Sequence, residues 1–249
     1  MARQTILITG ASSGLGEEMA RQFAQMGRDL ALCARRIDRL LLLKAELESR
    51  HPAIRVAVRE LDVDDHQQVF DVFQAFRLEL GGLDRVIVNA GIGKGASVGT
   101  GYFYANKQTA ITNFVSALAQ CEAAMEIFRE QNAGHLVLIS SVGALRGWRR
   151  AMTVYAASKA ALSSLAEGIR IDVLDRPIVV STICPGFIRT EINQAVERVP
   201  FMVEADVGCR SMVRAIERER AQAFVPAWPW AVFRFVFPLL PLSLLKRLS

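Results

Sequence analysis

The sequence has few residues of the kinds that bind metals or form disulfide bonds. Its four cysteines, Cys33, Cys121, Cys184 and Cys209, lack the close spacing of metal ligands, and its three histidines lie near none of them. Zinc sites and disulfide frameworks depend on such spacing. We therefore expect no metal site, and reduced thiols in a reducing compartment.

Segments that would direct the chain to or across a membrane are also scarce. A spanning helix needs about 20 apolar residues, and the most apolar segment, residues 228–249, is interrupted by Pro229, Arg234, Pro238 and Pro241. The N-terminal residues MARQTILITG enter a strand-like apolar run at once and leave no room for a targeting peptide. We expect a cytoplasmic protein.

Charge of one sign is not strongly in excess. The chain has 30 Lys and Arg against 25 Asp and Glu, a net charge of +5 and an isoelectric point near 9.3. Nucleic-acid binding favours a denser basic stripe, so we expect no nucleic-acid partner. This mild excess is compatible with a phosphate-bearing ligand or an anionic lipid surface.

The 249 residues, 51% of them hydrophobic, suffice for one domain of ordinary size. Short apolar runs alternate with windows of helical periodicity, a pattern typical of parallel strands joined by crossover helices. We predict a single α/β domain with one doubly wound, Rossmann-type parallel sheet of about seven strands and helices on both faces. The predicted strands cover residues 5–9, 29–34, 54–58, 84–89, 135–140, 178–183 and 223–226, and the predicted helices residues 17–26, 37–49, 67–79, 109–131 and 155–174.

A glycine-rich turn follows the first predicted strand, in the stretch TGASSGLG at residues 9–16. Glycines at 10, 14 and 16 allow the backbone to turn tightly and to approach a pyrophosphate, and the following helix offers unpaired N–H groups. The pattern indicates a dinucleotide site, although a tight strand-to-helix turn without a ligand would also use glycine.

Further motifs follow in a fixed order. They are NAG at 89–91, Ile-Ser-Ser at 139–141, YAASK at 155–159 and PG at 185–186. With the glycine-rich turn, they make residues 3–226 resemble a classical short-chain dehydrogenase/reductase. The resemblance implies a nicotinamide cofactor and a catalytic set of Ser, Tyr, Lys and Asn.

Tyr155 and Lys159 lie four residues apart, so a helix places them on one face. A free phenol ionises near pH 10. A nearby ammonium favours the phenolate, so we predict that the pKa of Tyr155 falls and that Tyr155 exchanges protons with a substrate.

The resemblance also implies a serine that binds the reacting carbonyl oxygen. We predict Ser141. The family usually has this serine thirteen residues before the tyrosine, but here the separation is fourteen, which leaves Ser140 as an alternative.

Asn113 lies in an apolar helical window, where the family has an asparagine that bends the helix and holds a water joining the lysine to solvent. A buried asparagine is costly without partners. We predict that Asn113 belongs to a proton relay; a solvent-facing helix position is the alternative.

The end of the second strand indicates the choice of cofactor. NAD-preferring members usually have an acidic residue there, but this chain has Ala34, Arg35 and Arg36. Guanidinium groups without a competing carboxylate suit a 2′-phosphate. We predict NADP(H), with a solvated loop as the alternative interpretation of the arginines.

The resemblance implies further cofactor contacts along the chain, including Tyr155 and Lys159. The glycine-rich turn contributes its backbone and two serine hydroxyls, the next loops flank the adenine and ribose, and the PG segment holds the nicotinamide. The predicted residues are Gly10, Ser12, Ser13, Gly14, Leu15, Gly16, Asp62, Val63, Asn89, Ala90, Gly91, Pro185, Gly186, Ile188 and Thr190.

The predicted activity is NADPH-dependent reduction of a carbonyl in a hydrophobic ketone, aldehyde or oxoacyl compound. A non-catalytic NADP(H)-binding sensor or scaffold is the alternative. We expect residues 187–206 to form a lid, in which Phe187, Val199, Phe201 and Met202 either line an apolar pocket or pack on one another. Three loop residues, Arg146, Arg149 and Arg150, either meet an anionic substrate or lie in solvent.

The apolar tail remains. We place the catalytic domain at 1–227 and a hydrophobic extension at 228–249. Trp228 and Trp230, with Lys246 and Arg247 near the end, predict either an anchor at a membrane surface or a segment covering the cleft or a subunit interface. We expect a homo-oligomer, a dimer or tetramer, in either case.

Overall fold

The computed structural model describes residues 3–191 and 201–248. The predicted fold class is confirmed by one sheet of seven strands, ordered β3-β2-β1-β4-β5-β6-β7, with every pairing parallel. The strands are β1 (Thr5–Thr9), β2 (Asp29–Ala34), β3 (Val56–Glu60), β4 (Arg85–Val88), β5 (Gly134–Ile139), β6 (Ile178–Pro185) and β7 (Gln222–Val225). All seven predicted strands are present, with ends shifted by two residues at most.

Helices connect the strands. They are α1 (Gly14–Gln25), α2 (Ile37–Arg50), α3 (His66–Leu80), α4 (Phe103–Ala110), α5 (Ser116–Gln131), α6 (Met152–Asp172), α7 (Ala205–Glu217), α8 (Ala227–Val236) and α9 (Leu242–Leu248). A π-helical turn, Ile111–Val115, joins α4 to α5, and 3-10 turns cover Val142–Leu145 and Phe237–Leu239. Four of the five predicted helices are found as single helices, and the window predicted at 109–131 contains the end of α4, the π turn and α5. Most of α4 and all of α7, α8 and α9 were not predicted as helices.

The two faces of the sheet are both covered, which explains why its strands are apolar throughout. In β1, Leu7 faces the cluster formed with α3, α5 and α6, whereas Ile6 and Ile8 face the cluster formed with α1, α2 and α7. Successive side chains of a strand point to opposite faces. The sheet therefore holds its loops on a rigid, doubly packed layer.

Strand order reverses between β1 and β4, because β2 and β3 lie to one side of β1 and β5, β6 and β7 lie beyond β4. In such sheets, ligands bind beyond the carboxyl ends of the strands at this reversal. The glycine-rich turn follows β1 and the NAG motif follows β4. The topology therefore brings the two motifs together.

A third, smaller apolar cluster lies beside the carboxyl end of β6. It joins the tail to the loop after β5 and contains Val142, Cys184, Phe224, Trp230 and Phe237. The predicted extension is thus packed against the domain through the inner side of α8, with its outer side facing away.

Candidate active site

The glycine-rich turn has a shape that side chains would block. Gly14 has a φ of +60°, in the left-handed region that favours glycine. A Cβ on Gly16 would come within 2.5 Å of the Gly10 carbonyl oxygen. Ser13 precedes α1 but makes no side-chain cap to it, so the Ser13 hydroxyl leaves the first N–H groups of the helix to a ligand. We call the glycine-rich turn and the start of α1 the cradle. The cradle fits a diphosphate.

Thr9, which was not among the predicted site residues, joins the ends of β1 and β4. The Thr9 hydroxyl accepts hydrogen bonds from the main-chain N–H groups of Asn89 (3.0 Å) and Ala90 (3.1 Å). Asn89 in turn donates from Nδ2 to the Thr9 carbonyl at 2.9 Å. These bonds fix the NAG segment beside the glycine-rich turn. The threonine of the TG pair was the available signal.

Tyr155 and Lys159 lie on the same side of α6, and the Lys159 Nζ is 6.0 Å from the centroid of the Tyr155 ring. Lys159 is buried, and its ammonium donates to the Ile139 carbonyl at 2.9 Å. Gly91 lies next to it, since a Cβ on Gly91 would be 3.5 Å from the Nζ. The helix thus brings Tyr155, Lys159 and the NAG segment together.

The predicted fall in the tyrosine pKa is wrong for the protein chain itself. Burial raises the pKa of Tyr155, and a hydrogen bond with Ser141 lowers it by less. Desolvation of the phenolate dominates although the side chain is only half-buried, while the Lys159 ammonium is directed at the Ile139 carbonyl. Burial also lowers the pKa of Lys159, to about 8. The chain therefore keeps Tyr155 protonated at neutral pH.

The two serines after β5 have different surroundings. Ser140 is buried, and its hydroxyl donates to the Lys159 carbonyl at 2.9 Å and lies 2.7 Å from the Ser163 hydroxyl. Ser141 accepts from the Gly143 N–H at 3.0 Å and hydrogen-bonds with Tyr155. Ser141 is thus the serine that shares the site with the tyrosine, and Ser140 supports α6.

Asn113 lies in the π-helical turn and is fully buried. Its Oδ1 accepts from the Ile92 N–H at 2.8 Å, and its Nδ2 donates to the Ile92 carbonyl at 2.9 Å. The solvent-facing alternative is therefore wrong. The side chain holds the segment after the NAG motif, while the π turn distorts the helix beside Lys159, a deformation that often accompanies functional sites.

The predicted adenosine end lies beyond β2 and β3. Arg36 donates from Nε to Ser12 at 3.2 Å and from Nη2 to Ser13 at 2.5 Å, so the two predicted serines and one predicted arginine form one group. Arg35 is exposed nearby, and Asp62 and Val63 lie in the loop after β3. Arg36 and the two serines thus border the glycine-rich turn.

A carboxylate competes for Arg36, contrary to the expectation drawn from the sequence. Glu191 lies 3.7 Å from the Arg36 Nη1 and accepts two contacts of 3.0 Å from Nη1 of Arg39. Glu191 is far from both arginines in sequence, which is why the pattern around residue 35 did not reveal it. Arg39 was likewise not predicted, since it lies one turn into α2.

The segment after β6 reaches back to the cradle. Pro185 ends β6, and the Gly186 N–H donates to the Val225 carbonyl at 2.9 Å. Ile188 is buried against Gly208 of α7, and Thr190 lies beside Gly14, 3.5 Å from the position of a Cβ there. Of the predicted nicotinamide residues, Thr190 thus lies at the glycine-rich turn, whereas Gly186 lies against Trp230 of the tail and Ile188 against α7.

Part of the predicted lid, residues 192–200 with Val199, lies outside the described residues. Of the rest, Phe187 and Phe201 pack edge-on against Trp230 of the tail, at ring-centroid distances of 5.5 and 6.2 Å. These two phenylalanines therefore join the third cluster. They do not pack only on each other.

The loop arginines bind the tail. Arg146 donates from Nη1 to the carbonyls of Phe237 (2.7 Å) and Pro238 (2.6 Å), and Arg149 donates to the Lys246 carbonyl at 3.1 Å. The expectation of a fully solvated loop is wrong for these two residues, because they donate to carbonyls at helix ends, which need donors; contact with an anionic substrate stays a prediction. Arg150 is exposed.

A comparison with known proteins decides the family. The sequence profile described as short chain dehydrogenase matches residues 4–199. The chain belongs to this family. It is also 52% identical, over all 249 residues and 98% of the other protein, to an uncharacterised oxidoreductase of Mycobacterium tuberculosis. The short-chain dehydrogenase described here is therefore an oxidoreductase of a nicotinamide-dependent family.

Solved short-chain dehydrogenases share its fold. A Sphingobium yanoikuyae enzyme in complex with NADPH has a TM-score of 0.82 and 25% identity, over 95% of this chain and 93% of that one. A Burkholderia phymatum protein in complex with NAD has a TM-score of 0.83 and 23% identity, over 94% and 92%. Both cofactors thus occur among its structural neighbours.

Proposed function

We propose that this short-chain dehydrogenase uses NADPH to reduce a carbonyl group of a hydrophobic ketone, aldehyde or oxoacyl compound to an alcohol. One observation carries the proposal: Tyr155, a phenol that holds its proton at neutral pH, is hydrogen-bonded to Ser141 and lies on the same side of α6 as the buried Lys159. A group that must give up a proton to a carbonyl oxygen has to hold that proton at working pH.

The side chains of the site divide the work on the carbonyl oxygen. The Ser141 Oγ accepts from the Gly143 N–H, and its own hydrogen would turn from Tyr155 to the substrate oxygen, where charge develops. Tyr155 transfers its phenolic proton to that oxygen as the alcohol forms. The remaining phenolate is favoured by the Lys159 cation and is protonated again from solvent.

The cofactor would bind along the carboxyl edge of the sheet. When bound, the reduced nicotinamide supplies the hydride that reaches the carbonyl carbon. The glycine-rich turn and the start of α1 would hold the diphosphate, and Lys159 and the segment after Pro185 would hold the nicotinamide end. Asn113 positions Ile92 and, with it, the NAG loop.

The preference for NADPH over NADH is supported by the basic edge of the cradle. Arg36 is anchored by Ser12 and Ser13, Arg35 lies next to it, and Arg39 is one turn further along α2. Guanidinium groups bind phosphate through paired, charge-assisted hydrogen bonds. A 2′-phosphate would have to displace Glu191 from Arg36 and Arg39.

The choice of a hydrophobic substrate is supported by the residues next to Ser141. Val142 and Leu145 begin and end the 3-10 turn that follows it, and they pack with Trp148, Phe187 and Trp230 in the third cluster. A substrate carbonyl held at Ser141 therefore has apolar side chains on one side. Apolar walls with a few polar groups are typical of small-molecule sites.

The test is NADPH oxidation with a panel of medium and long-chain ketones, aldehydes and oxoacyl esters. Tyr155→Phe should lower the rate by about 10²–10⁴-fold, the usual contribution of a positioned acid, while NADPH binding measured by fluorescence stays the same. Tyr104→Phe changes an exposed tyrosine in the same way and should keep full activity.

Two results would contradict the proposal. Tight NADPH binding without turnover of any carbonyl would favour the sensor or scaffold. Equal rates for Tyr155→Phe and the wild-type chain would remove Tyr155 from the chemistry.

A further inference from the structure

The tail, residues 228–249, has apolar residues on two sides, and only one side packs against the rest of the protein. Trp230, Phe233 and Phe237 point inward, where Trp230 is 3% exposed and the rings of Phe233 and Phe237 stack at 5.1 Å. The spacing of these residues, i, i+3 and i+7, is that of one helical stripe.

A second stripe faces outward. Val232, Phe235, Val236 and Leu239 follow the same helical spacing on the opposite side, and Trp228 precedes them. Trp228 is 73% exposed and Leu239 84% exposed, and Leu242 continues the surface into α9. We call these six residues the outer face of the tail.

Scattered exposed apolar residues are normal, but a contiguous set of large ones marks an interaction surface. The outer face lies on the far side of the helix whose inner side packs on the loop after Ser141. Anything that covers the outer face is therefore brought close to the active site.

The charges around the outer face narrow the choice of what covers it. From Gln222 to Ser249 the sequence contains three basic residues, Arg234, Lys246 and Arg247, and no acidic residue. All three are exposed, and the Arg234 guanidinium lies 4.4 Å from the centroid of the Phe235 ring. Within the tail, the surface is thus apolar at its centre and cationic at its margin.

A second copy of the chain fits this surface poorly. A twofold interface places the same patch of two subunits face to face, which would set these cations against one another without a carboxylate between them. An anionic lipid surface satisfies both features, because it takes up apolar side chains and attracts basic ones.

We propose that the outer face docks on the surface of a membrane that contains anionic lipid, with the tail lying flat in the interface. Within the described residues, no helix is long and apolar enough to cross a bilayer. Trp228 lies at the edge of the face, where an amphipathic ring suits the headgroup region. The docked chain would present its active site to carbonyl compounds dissolved in the lipid.

The experiment is sedimentation of the full chain with phosphatidylcholine vesicles, with and without phosphatidylglycerol. Binding should require the anionic lipid and weaken with salt. Leu239→Glu should lower the partition coefficient by about tenfold or more, since it removes apolar contact and adds repulsion. Lys246→Gln with Arg247→Gln should lower it by about fivefold for each charge.

The matched control is Leu78→Glu on α3, which alters a leucine that is 82% exposed on a different part of the molecule. It should bind vesicles like the wild-type chain. Because both leucines are exposed, thermal unfolding of each variant should be unchanged, which separates a docking defect from misfolding. The tryptophan emission should shift to the blue on vesicles, and Trp228→Phe should reduce that shift.

Three outcomes would overturn the proposal. The first is no partition into either vesicle, and the second is an equal loss in Leu239→Glu and Leu78→Glu. The third is self-association in solution that Leu239→Glu abolishes and vesicles do not affect, which would assign the outer face to a second copy of the chain.

Discussion

Buried ionisable groups lie at both ends of the sheet, and the two groups differ in the partners that surround them. At the carboxyl end, Tyr155 and Lys159 have shifted pKa values, and the Lys159 ammonium rests on a neutral carbonyl. At the amino end, Arg85 donates to His135 at 2.9 Å and pairs with Glu217. Burial lowers the pKa of Arg85 and lowers that of His135 to about 2.

The two ends show that a shifted pKa is a sign of burial and does not by itself identify a functional group. At the amino end, His135 is also 2.8 Å from the Ser181 hydroxyl, and Glu217 also binds Arg28 at 3.0 Å. The side chains of this network thus bond to one another. At the carboxyl end, the polar atoms of Tyr155, Lys159 and Ser141 lie beside the cradle, where a bound ligand can supply their remaining hydrogen-bond partners.

The largest effect that we predict tests the closed network. Arg85→Met should lower the free energy of unfolding by about 3–5 kcal/mol, because His135 loses its donor and Glu217 loses a buried partner. Carbonyl reduction per folded molecule should not change. Denaturant unfolding measures the loss, and the exposed Arg176→Met should stay within about 0.5 kcal/mol of wild type. If Arg85→Met lowered the rate of carbonyl reduction per folded molecule as strongly as it lowers stability, the amino end would not be purely structural.

The next largest effect concerns the two serines at the carboxyl end. Ser141 should act in catalysis, and Ser140 should support the fold. Ser141→Ala should lower kcat for carbonyl reduction by about 10²–10³-fold, as for other removed donors to a developing oxyanion, with little change in stability. Ser140→Ala should mainly destabilise the fold, since its hydroxyl bonds inside the core. The reverse result would make Ser140 the catalytic serine.

Lys159→Met should make the protein inactive but more stable at neutral pH. The folded chain releases the Lys159 proton near pH 8 and the unfolded chain near 10.5. Between these values the unfolded chain binds more protons, so wild-type stability rises with pH. The charge effect should therefore make the variant more stable below pH 8, by at most about 3 kcal/mol and by less where the Ile139 carbonyl loses its donor, and this gain disappears by pH 10.5.

Unfolding curves of both proteins at pH 7 and pH 10.5 measure that difference. A variant less stable than wild type at pH 7 would show that the ammonium has a stabilising partner, like the charges at the amino end.

The smallest predicted effect concerns the carboxylate at the edge of the cradle. Glu191→Gln should tighten binding of 2′,5′-ADP by up to about fivefold, the worth of an exposed ion pair, and leave 5′-AMP almost unchanged. Calorimetry measures both ligands, and Glu204→Gln, another exposed acid paired with an arginine, is the control. Equal effects on the two nucleotides would remove Glu191 from phosphate selection.

Many features of this protein could be predicted because they depend on residues that are close together in the sequence. Apolar strands, crossover helices and the glycine-rich turn depend on neighbouring residues, so the sheet and its first turn follow from short stretches of sequence. The pairing of Tyr155 with Lys159 follows from helical periodicity in the same way. Leu239 and Phe235 are likewise visible in sequence as apolar residues beside cations.

Other features depend on distant segments and could not be predicted from the sequence. The approach of Glu191 to Arg36, and the binding of tail carbonyls by Arg146, each join residues far apart in the chain. The direction of the Tyr155 pKa depends on how completely the fold encloses the phenol. Sequence by itself determined the fold class, the family motifs and the helical faces, because these rest on spacing. Only the tertiary structure decided which serine meets the tyrosine, which charges compete and which face of the tail stays bare, because burial and long-range contacts arise when the chain is packed.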